Sequence, residues 1–307
     1  MWTRSKFNKD YLPGYFALLI DSYRNKRHAS MANQIMTTKT SKKAREQNYT
    51  RSGLTTPTIK GEGAPIPTWD TQIQGATQTW TPDVWCMAVR ITEEAIDDNL
   101  MELTAGGDNL KELFHDLSEA MSENEEILGA RFLVNGAATT YHSTRNSKAL
   151  FSTTHPRLGG GTWSNYLTNA DLTYTSFWSA VTSAENQLGD RGQRIQKKVK
   201  ALWIPPELER QATEILKSTD RPDTANRATN AMAKSGRNIK LKKWSHLTDT
   251  DAWYLQLDGE GIIRFNNRKT RFAREKDFET GDIMVKADQR FSIEINDERA
   301  WFGNVPA

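Results

Sequence analysis

Apolar positions recur every three to four residues in four stretches of the chain and every second residue in several others, which lays out a mixed α+β succession. The first helical stretch covers residues 12–23, where Tyr15, Leu18, Leu19 and Tyr23 share a face that needs a partner. The longest stripe follows Asp108, a residue type suited to an N-cap. Leu110, Leu113, Phe114, Leu117, Met121, Ile127, Leu128 and Val134 mark it out until Gly136 supplies a stop. Glu112, Asp116, Glu119, Glu123, Glu125 and Glu126 occupy much of the other side, so the spacing predicts a long helix over 108–135, apolar on one face and acidic on the other. A third stripe, Phe177, Trp178, Val181, Ala184 and Leu188, is capped by Asp171 and ends at Gly189. A fourth, Leu208, Ala212, Ile215 and Leu216, follows a buried strand over 199–204 and the break at Pro205-Pro206.

Between 52 and 92 short Thr, Ile, Trp and Val runs are punctuated by Gly and Pro, as in a long extended hairpin with an irregular tip. Residues 79–91 read as a strand with Trp85, Met87, Val89 and Ile91 on one face and Cys86 and Arg90 on the other. Residues 218–238 have little to bury and read as a loop, while strands are expected at 239–244, 252–257, 262–265, 282–287 and 291–295. There is no internal repeat.

Charge sharpens this picture. The net charge of +3 conceals strong segregation: residues 1–60 hold twelve Lys/Arg against three Asp/Glu, and residues 61–136 hold three against fifteen. A basic N-terminal segment beside an acidic body is neutralised by its own body, by an identical neighbour or by a polyanion. The cations Arg24, Lys26, Arg27, Lys39, Lys42, Lys43 and Arg45, interleaved with tyrosines, leave nucleic-acid contact open, although no DNA- or RNA-binding motif accompanies them. Counting Gly but not Tyr, roughly 40% of the 307 residues are apolar, against about 45–50% in ordinary globular chains. That is thin for two domains, and it implies that surface is finished against a partner. Trp69, Trp80 and Trp85, in or beside a hairpin with little core of its own, suit such anchoring; closing the hairpin on its own body is the alternative. No run approaches a membrane span, and residues 15–20 are too short an apolar stretch for a signal peptide, so a soluble chain without membrane association is expected.

Candidate chemistry is sparse. No phosphate loop or dinucleotide fingerprint is present, and Gly159-Gly160-Gly161 reads as a flexible loop. His28, His115, His142, His155 and His246 are scattered outside metal-ligand spacings, with His115 packed on the long helix and His155 and His246 as turn residues. Cys86 is the one cysteine and has no local base. Glu93-Glu94 and Asp97-Asp98 suit capping or surface charge ahead of a helix. No catalytic residue, cofactor or metal is expected; a hydrolase with an unrecognised site is a rival reading.

Several segments in this order carry a family resemblance: Gly61-Glu62-Gly63-Ala64-Pro65-Ile66-Pro67 with Trp80-Thr81-Pro82; Arg90-Ile91-Thr92-Glu93-Glu94 with Asp97-Asp98; Ala149-Leu150-Phe151-Ser152-Thr153-Thr154-His155-Pro156; Leu202-Trp203-Ile204-Pro205-Pro206-Glu207-Leu208-Glu209; Leu247-Thr248-Asp249-Thr250-Asp251-Ala252-Trp253-Tyr254; and Arg299-Ala300-Trp301-Phe302-Gly303. From about Gly61 onward the chain resembles the major capsid proteins of tailed bacteriophages, whose fold is shared with encapsulins and the herpesvirus capsid floor, and most closely the Mu-type major head subunits. The resemblance implies an N-terminal arm over 1–52, an extended loop over 53–92, a peripheral domain over 93–161 with its spine helix at 108–135, an axial domain over 162–261 and a return to the peripheral domain over 262–307. It implies hexamers and pentamers closing an icosahedral shell around double-stranded DNA in the virion, assembled in the bacterial cytoplasm. A separate scaffolding protein, a portal and decoration proteins are the further partners. Alternatives are a nucleic-acid-binding protein using the basic arm and an encapsulin-like compartment shell. Residues expected at subunit interfaces are Tyr15, Leu19, Lys42, Lys43, Arg45, Glu62, Pro65, Pro67, Trp69, Trp80, Trp85, Glu119 and Glu123.

Certain relatives lose an N-terminal scaffolding segment; here the basic N-terminus is expected to be retained. Others weld subunits through a Lys–Asn isopeptide bond, but residues 276–286 contain no Asn, and Lys60 is the one lysine near the loop. Covalent cross-linking is therefore not expected: a denaturing gel of mature particles should run as monomer, and a ladder of oligomers would refute this.

Overall fold

The computed structural model describes residues 12–94, 109–168, 170–221 and 228–305. Its elements run α1 (Leu12–Ala29), α2 (Ala32–Ile35), β1 (Met36–Thr40), β2 (Glu46–Arg51), β3 (Gln74–Trp80), β4 (Asp83–Ile91), α3 (Asn109–Val134), β5 (His155–Pro156), β6 (Thr162–Trp163), α4 (Tyr174–Glu185), β7 (Val199–Ile204), α5 (Glu209–Lys217), α6 (Ala231–Lys234), β8 (Lys240–Lys243), β9 (Trp253–Leu257), β10 (Ile262–Lys276), β11 (Ile283–Ile295) and β12 (Trp301–Asn304). Asp97, Asp98 and the expected cap Asp108 lie outside the described residues, as does the side chain of Tyr15.

Two four-stranded sheets carry the fold, ordered β1-β10-β11-β4 and β12-β9-β7-β8. In the first, Ile283, Val285 and Ala287 of β11 and Ile91 of β4 bury one face against Phe114, Leu117 and Met121 of α3 and Leu19 and Tyr23 of α1. The second is buried on both faces, which accounts for the almost unbroken apolar run of β7. Leu202 and Ile204 pack with α4 and α5, whereas Ala201 and Trp203 face a central cluster with Phe132, Leu133, Trp244, Tyr254, Phe291 and Trp301. That cluster joins the two sheets through the end of α3.

The strands expected for one hairpin over 53–92 belong to two bodies. β2 pairs with β3, Glu46 opposite Trp80 and Arg51 opposite Gln74, while β4 leaves the hairpin at Thr81-Pro82 and pairs with β11. The loop's limbs are thus 46–51 and 74–80. Its two ends enter the first sheet at opposite edges, yet in one row: Thr40 lies beside Asn266, Asn266 opposite Phe291, and Phe291 opposite Asp83. Local alternation in β4 is the same whichever strand it pairs with, so sequence pattern alone does not separate these cases.

Other differences have similar causes. α1 runs on to Ala29, and β1 joins the sheet, so residues 12–40 fold on their own body instead of forming a free arm. Thr173, not Asp171, caps α4 through a reciprocal box with Ser176, and the helix ends at Glu185, short of Leu188. The 218–238 loop contains α6, capped by Asn230. β10 extends to Lys276, far past the expected 265, and the two strands expected between 282 and 295 are one. His155 is a fully buried strand residue stacked on Trp163 at 4.6 Å and bonded to Asn165 at 3.0 Å, not a turn residue. Burial holds its pKa down to about 4, with Asn165 pulling the other way.

On α3 the stripe is rotated from expectation: Ile127 is exposed and Glu125 is buried. Arg264 of β10 donates to both Glu125 oxygens, at 2.7 and 3.0 Å, and its guanidinium lies 4.1 Å over the Phe291 ring. Tyr23 Oη donates to Glu125 at 2.6 Å, and Arg264 Nε donates to Asn266 at 2.8 Å. Burial alone would raise the Glu125 pKa, but the bonds and charge of Arg264, then Tyr23 and Arg27, bring it below the usual range. Burial and then the neighbouring carboxylate push the Tyr23 phenol up to about 12.

A second carboxylate has the opposite setting. Glu294 of β11 sits largely buried beneath the root of the loop, with Gln78 Nε2 at 3.4 Å. Burial, then the charge of Asp83, raise its pKa to about 7.

Two outcomes follow, of opposite sign in pH. Glu125→Ala strands a buried guanidinium and should cost about 3–5 kcal/mol, most of it recovered in the Glu125→Leu/Arg264→Met double variant. Because its folded pKa is lowered, the Glu125 contribution is complete above the usual carboxylate range and is lost as pH falls through the lowered value. Thermal unfolding reads both, and wild-type stability of the single variant would show the pair to be dispensable. Glu294, with a raised folded pKa, loses stability as pH rises from its ordinary value through about 7. Glu294→Gln should match wild type near pH ~4 and melt above it near pH ~8; an equal offset at both pH values would reject this assignment.

Candidate assembly surfaces

A two-stranded ribbon has almost no core of its own, and the segment joining β2 to β3 shows what that means for its side chains. Leu54, Ile59, Ile66 and Trp69 all stand exposed, Ile59 at 97% and Trp69 at 85%, among Pro57, Pro65 and Pro67. The prolines pre-set extended backbone and withhold N–H donors, so the segment keeps its shape without a ladder. Its own bonds are few: Thr55 donates to Asp70 from N at 2.7 Å and from Oγ1 at 2.9 Å, and the hydroxyls of Thr58 and Thr68 meet at 2.6 Å. Asp70 is held below the usual carboxylate range by the Thr55 bonds and then by Arg191.

The root, by contrast, is fastened. Trp80 is buried with its ring 5.2 Å from Phe265, Gln78 Nε2 donates to Ser143 O at 2.9 Å, and Asn48 Nδ2 donates to Asn296 Oδ1. Arg145 donates to Asn296 Oδ1 at 3.1 Å and reaches Thr50 Oγ1 at 3.5 Å. A fixed root and an unburied tip make a projecting apolar surface of the kind that marks an interaction site.

The residues expected at interfaces divide on this geometry. Glu62, Pro65, Pro67 and Trp69 come together on the loop and are exposed. Lys42, Lys43 and Arg45 are exposed in the turn between β1 and β2, where Lys43 lies 3.5 Å from Glu46. Leu19 is 1% exposed in the chain's own core, and Trp80 closes the loop on its own body, so neither presents an outward anchor. Trp85 is half-buried and stacked on Phe291 at 6.3 Å. Glu119 pairs with Lys26 at 2.8 Å and Glu123 with His246 at 2.7 Å, both within the chain.

This last arrangement answers the charge segregation. Lys26 and, at 3.9 Å, Arg27 turn onto the acidic helix, and Lys39 bonds Glu260 at 2.6 Å. These three cations meet carboxylates of their own chain. Exposed loop residues outside the expected set include Leu54, Ile59, Ile66 and Ile73; isolated branched apolar residues in a Gly- and Pro-punctuated stretch were the available signal. Phe278, fully exposed between β10 and β11, carried no periodic signal at all. Among the described residues no three His, Cys, Asp or Glu side chains gather as a metal site, and no helix is long and apolar enough to cross a membrane.

The fold is shared with a virus-like particle from Pyrococcus furiosus (TM-score 0.56, 9% identity, 96% of this chain and 99% of that chain). It is shared likewise with a structure from Microbacterium phage Oxtober96 (0.55, 12%, 91% of each chain) and with the capsid of Myoviridae phage XM1 (0.56, 8%, 90% and 91%). No curated protein sequence matches the chain. The model of the phage capsid protein family matches residues 76–304, from the returning limb of the loop to the last strand, and the chain belongs to that family.

Proposed function

We propose that this protein, the major capsid protein of a phage and a subunit of its multi-copy shell, closes that shell as hexamers and pentamers around double-stranded DNA, with the extended loop as its principal means of contact. The observation that carries the reading is the loop itself. Its apolar side chains are left unburied by the chain that makes them, and a second copy of the chain is the surface that relieves this. The turn holding Lys42, Lys43 and Arg45 supplies cations to the same contacts, opposite the exposed Glu112 and Asp116 of a neighbour's α3.

In this reading the protein is structural and carries no catalytic step. Residues 162–261 form an axial unit around the capsomer centre, and the remaining body, built on α3, forms the peripheral unit, with the extended loop at 46–80. A separate scaffolding protein guides closure in the host cytoplasm, and portal and decoration proteins complete the particle in the virion.

Negative-stain electron microscopy of the overexpressed chain, with and without its scaffolding protein, tests this directly: shells are expected, and monomers under both conditions would count decisively against it. Within an assembling preparation, replacing Ile59, Ile66 and Trp69 together by Ser should reduce shell yield by about tenfold or more while leaving monomer melting unchanged, since hot-spot aromatics dominate interface energy. Reversal of Lys42, Lys43 and Arg45 to Glu should lower yield most at low salt; undiminished yield there rejects the charge pairing.

A further inference from the structure

The tight turn at residues 189–193 is closed by Gly189 N donating to Gln193 O at 2.7 Å and Gly192 N donating to Gly189 O at 3.1 Å, with Gly192 at φ +79°. Its two central side chains, of opposite charge, serve opposite sides. Asp190 accepts from Arg299 Nη2 at 2.8 Å in a pair that is almost wholly buried, and Arg299 in turn lies 4.6 Å over the Trp163 ring. Gly159 N donates to Asp190 O at 3.0 Å. The turn is therefore fixed to the body from beneath.

Arg191 faces the extended loop. Its Nη2 donates to Thr71 O at 2.9 Å and to Asp70 Oδ1 at 3.2 Å, and its Nε reaches Ser52 Oγ at 3.3 Å. Gln193 Nε2 donates to Leu54 O at 3.0 Å. One turn thus grips both ends of the segment that joins the two limbs, at 52–54 and at 70–71. The limbs hold each other independently, through Ser52 N to Ile73 O and Ile73 N to Ser52 Oγ, both 2.9 Å, and through Thr55 to Asp70. Removing Arg191 would leave the loop's own shape and reduce its hold on the turn to the single Gln193–Leu54 bond. A planar guanidinium reaches the carboxylate, the carbonyl and the hydroxyl from two nitrogens set apart in a rigid fork, whereas an ammonium offers its three donors from a single atom.

We propose that the 189–193 turn is a bracket that sets the stance of the extended loop on its own subunit, with Arg191 as the positioning residue, so that the loop meets a second copy of this chain at a fixed angle. The part played in assembly rests on the reading of the loop as the contact element; the bracket itself does not. Loop stance is thereby a determinant of shell curvature supplied within the subunit.

The test uses the full chain with Cys86→Ser and nitroxide labels on Ile59→Cys and Arg210→Cys. With Arg191 present, electron–electron distance measurement on unassembled subunits should give one narrow distribution. Arg191→Gln should lose it to a broad one at unchanged melting temperature, and Arg191→Lys should fall between; a distribution as narrow as wild type in both variants overturns the bracket, whether or not shells form. In the unlabelled chain with its scaffolding protein, Arg191→Gln should give particles of mixed diameter and Arg191→Lys should largely restore uniformity. Uniform wild-type diameters from a broadened loop overturn the curvature role alone, and absence of shells from wild type overturns the assembly reading while leaving the distance result to decide the bracket.

Discussion

The pairing of Glu125 with Arg264 fixes how the long helix lies on the first sheet. Two ions removed from water are tolerable only with near-complete mutual satisfaction, and here every neighbouring element contributes: the helix gives the carboxylate, β10 the guanidinium, α1 a phenol, and β11 the ring of Phe291 beneath. Apolar packing along α3 would tolerate a modest rotation of the helix. A bidentate pair is less tolerant, because two parallel bonds must be kept in geometry at once. The pair therefore supplies register to a contact whose strength comes from hydrophobic burial, and it also ties α1 to that register through Tyr23. The N-terminal segment is held on the body by the apolar contacts of Leu19 and Tyr23 and by the pairing of β1 with β10, with this triad, Lys26 and Arg27 adding charged contacts to α3.

Much of this was legible in the residues. The stripe on α3, the buried run of β7 and the helix after Pro205-Pro206 are local patterns strong enough to survive tertiary context. The pair itself was not legible, because a glutamate in an acidic run reads as solvated until an arginine 139 positions away is known to face it. The far half of β10 was equally silent. Residues 266–276 are mostly polar, since that part of the ribbon pairs with β11 while leaving much of its surface in water, and such a strand lacks the apolar face that periodicity detects.

The interface residues show the same division. Trp69, Pro65 and Pro67 could be found because large apolar groups among turn-forming residues have no local core to join. Trp80 has the same neighbours in sequence and the opposite fate, decided by Phe265 on a strand nearly two hundred residues away. Charge segregation was visible as a sum, but its resolution within the chain depended on α1 running beside α3, which no composition reveals. A subunit of modest apolar content thus completes its own core with economy and leaves several large apolar side chains together on one projecting segment.

The attachment of that segment has a mechanical consequence. Both its ends enter one sheet, β1 along one edge below the row through Asn266 and Phe291, and β4 along the other edge above it. The two strands run in the same direction on opposite sides of that row. Whichever way along the strand axis a neighbouring subunit draws the loop, one edge strand is placed in tension and the other in compression. The load is then borne as shear by ladders of five and nine residue pairs, whose bonds must yield together, not one after another.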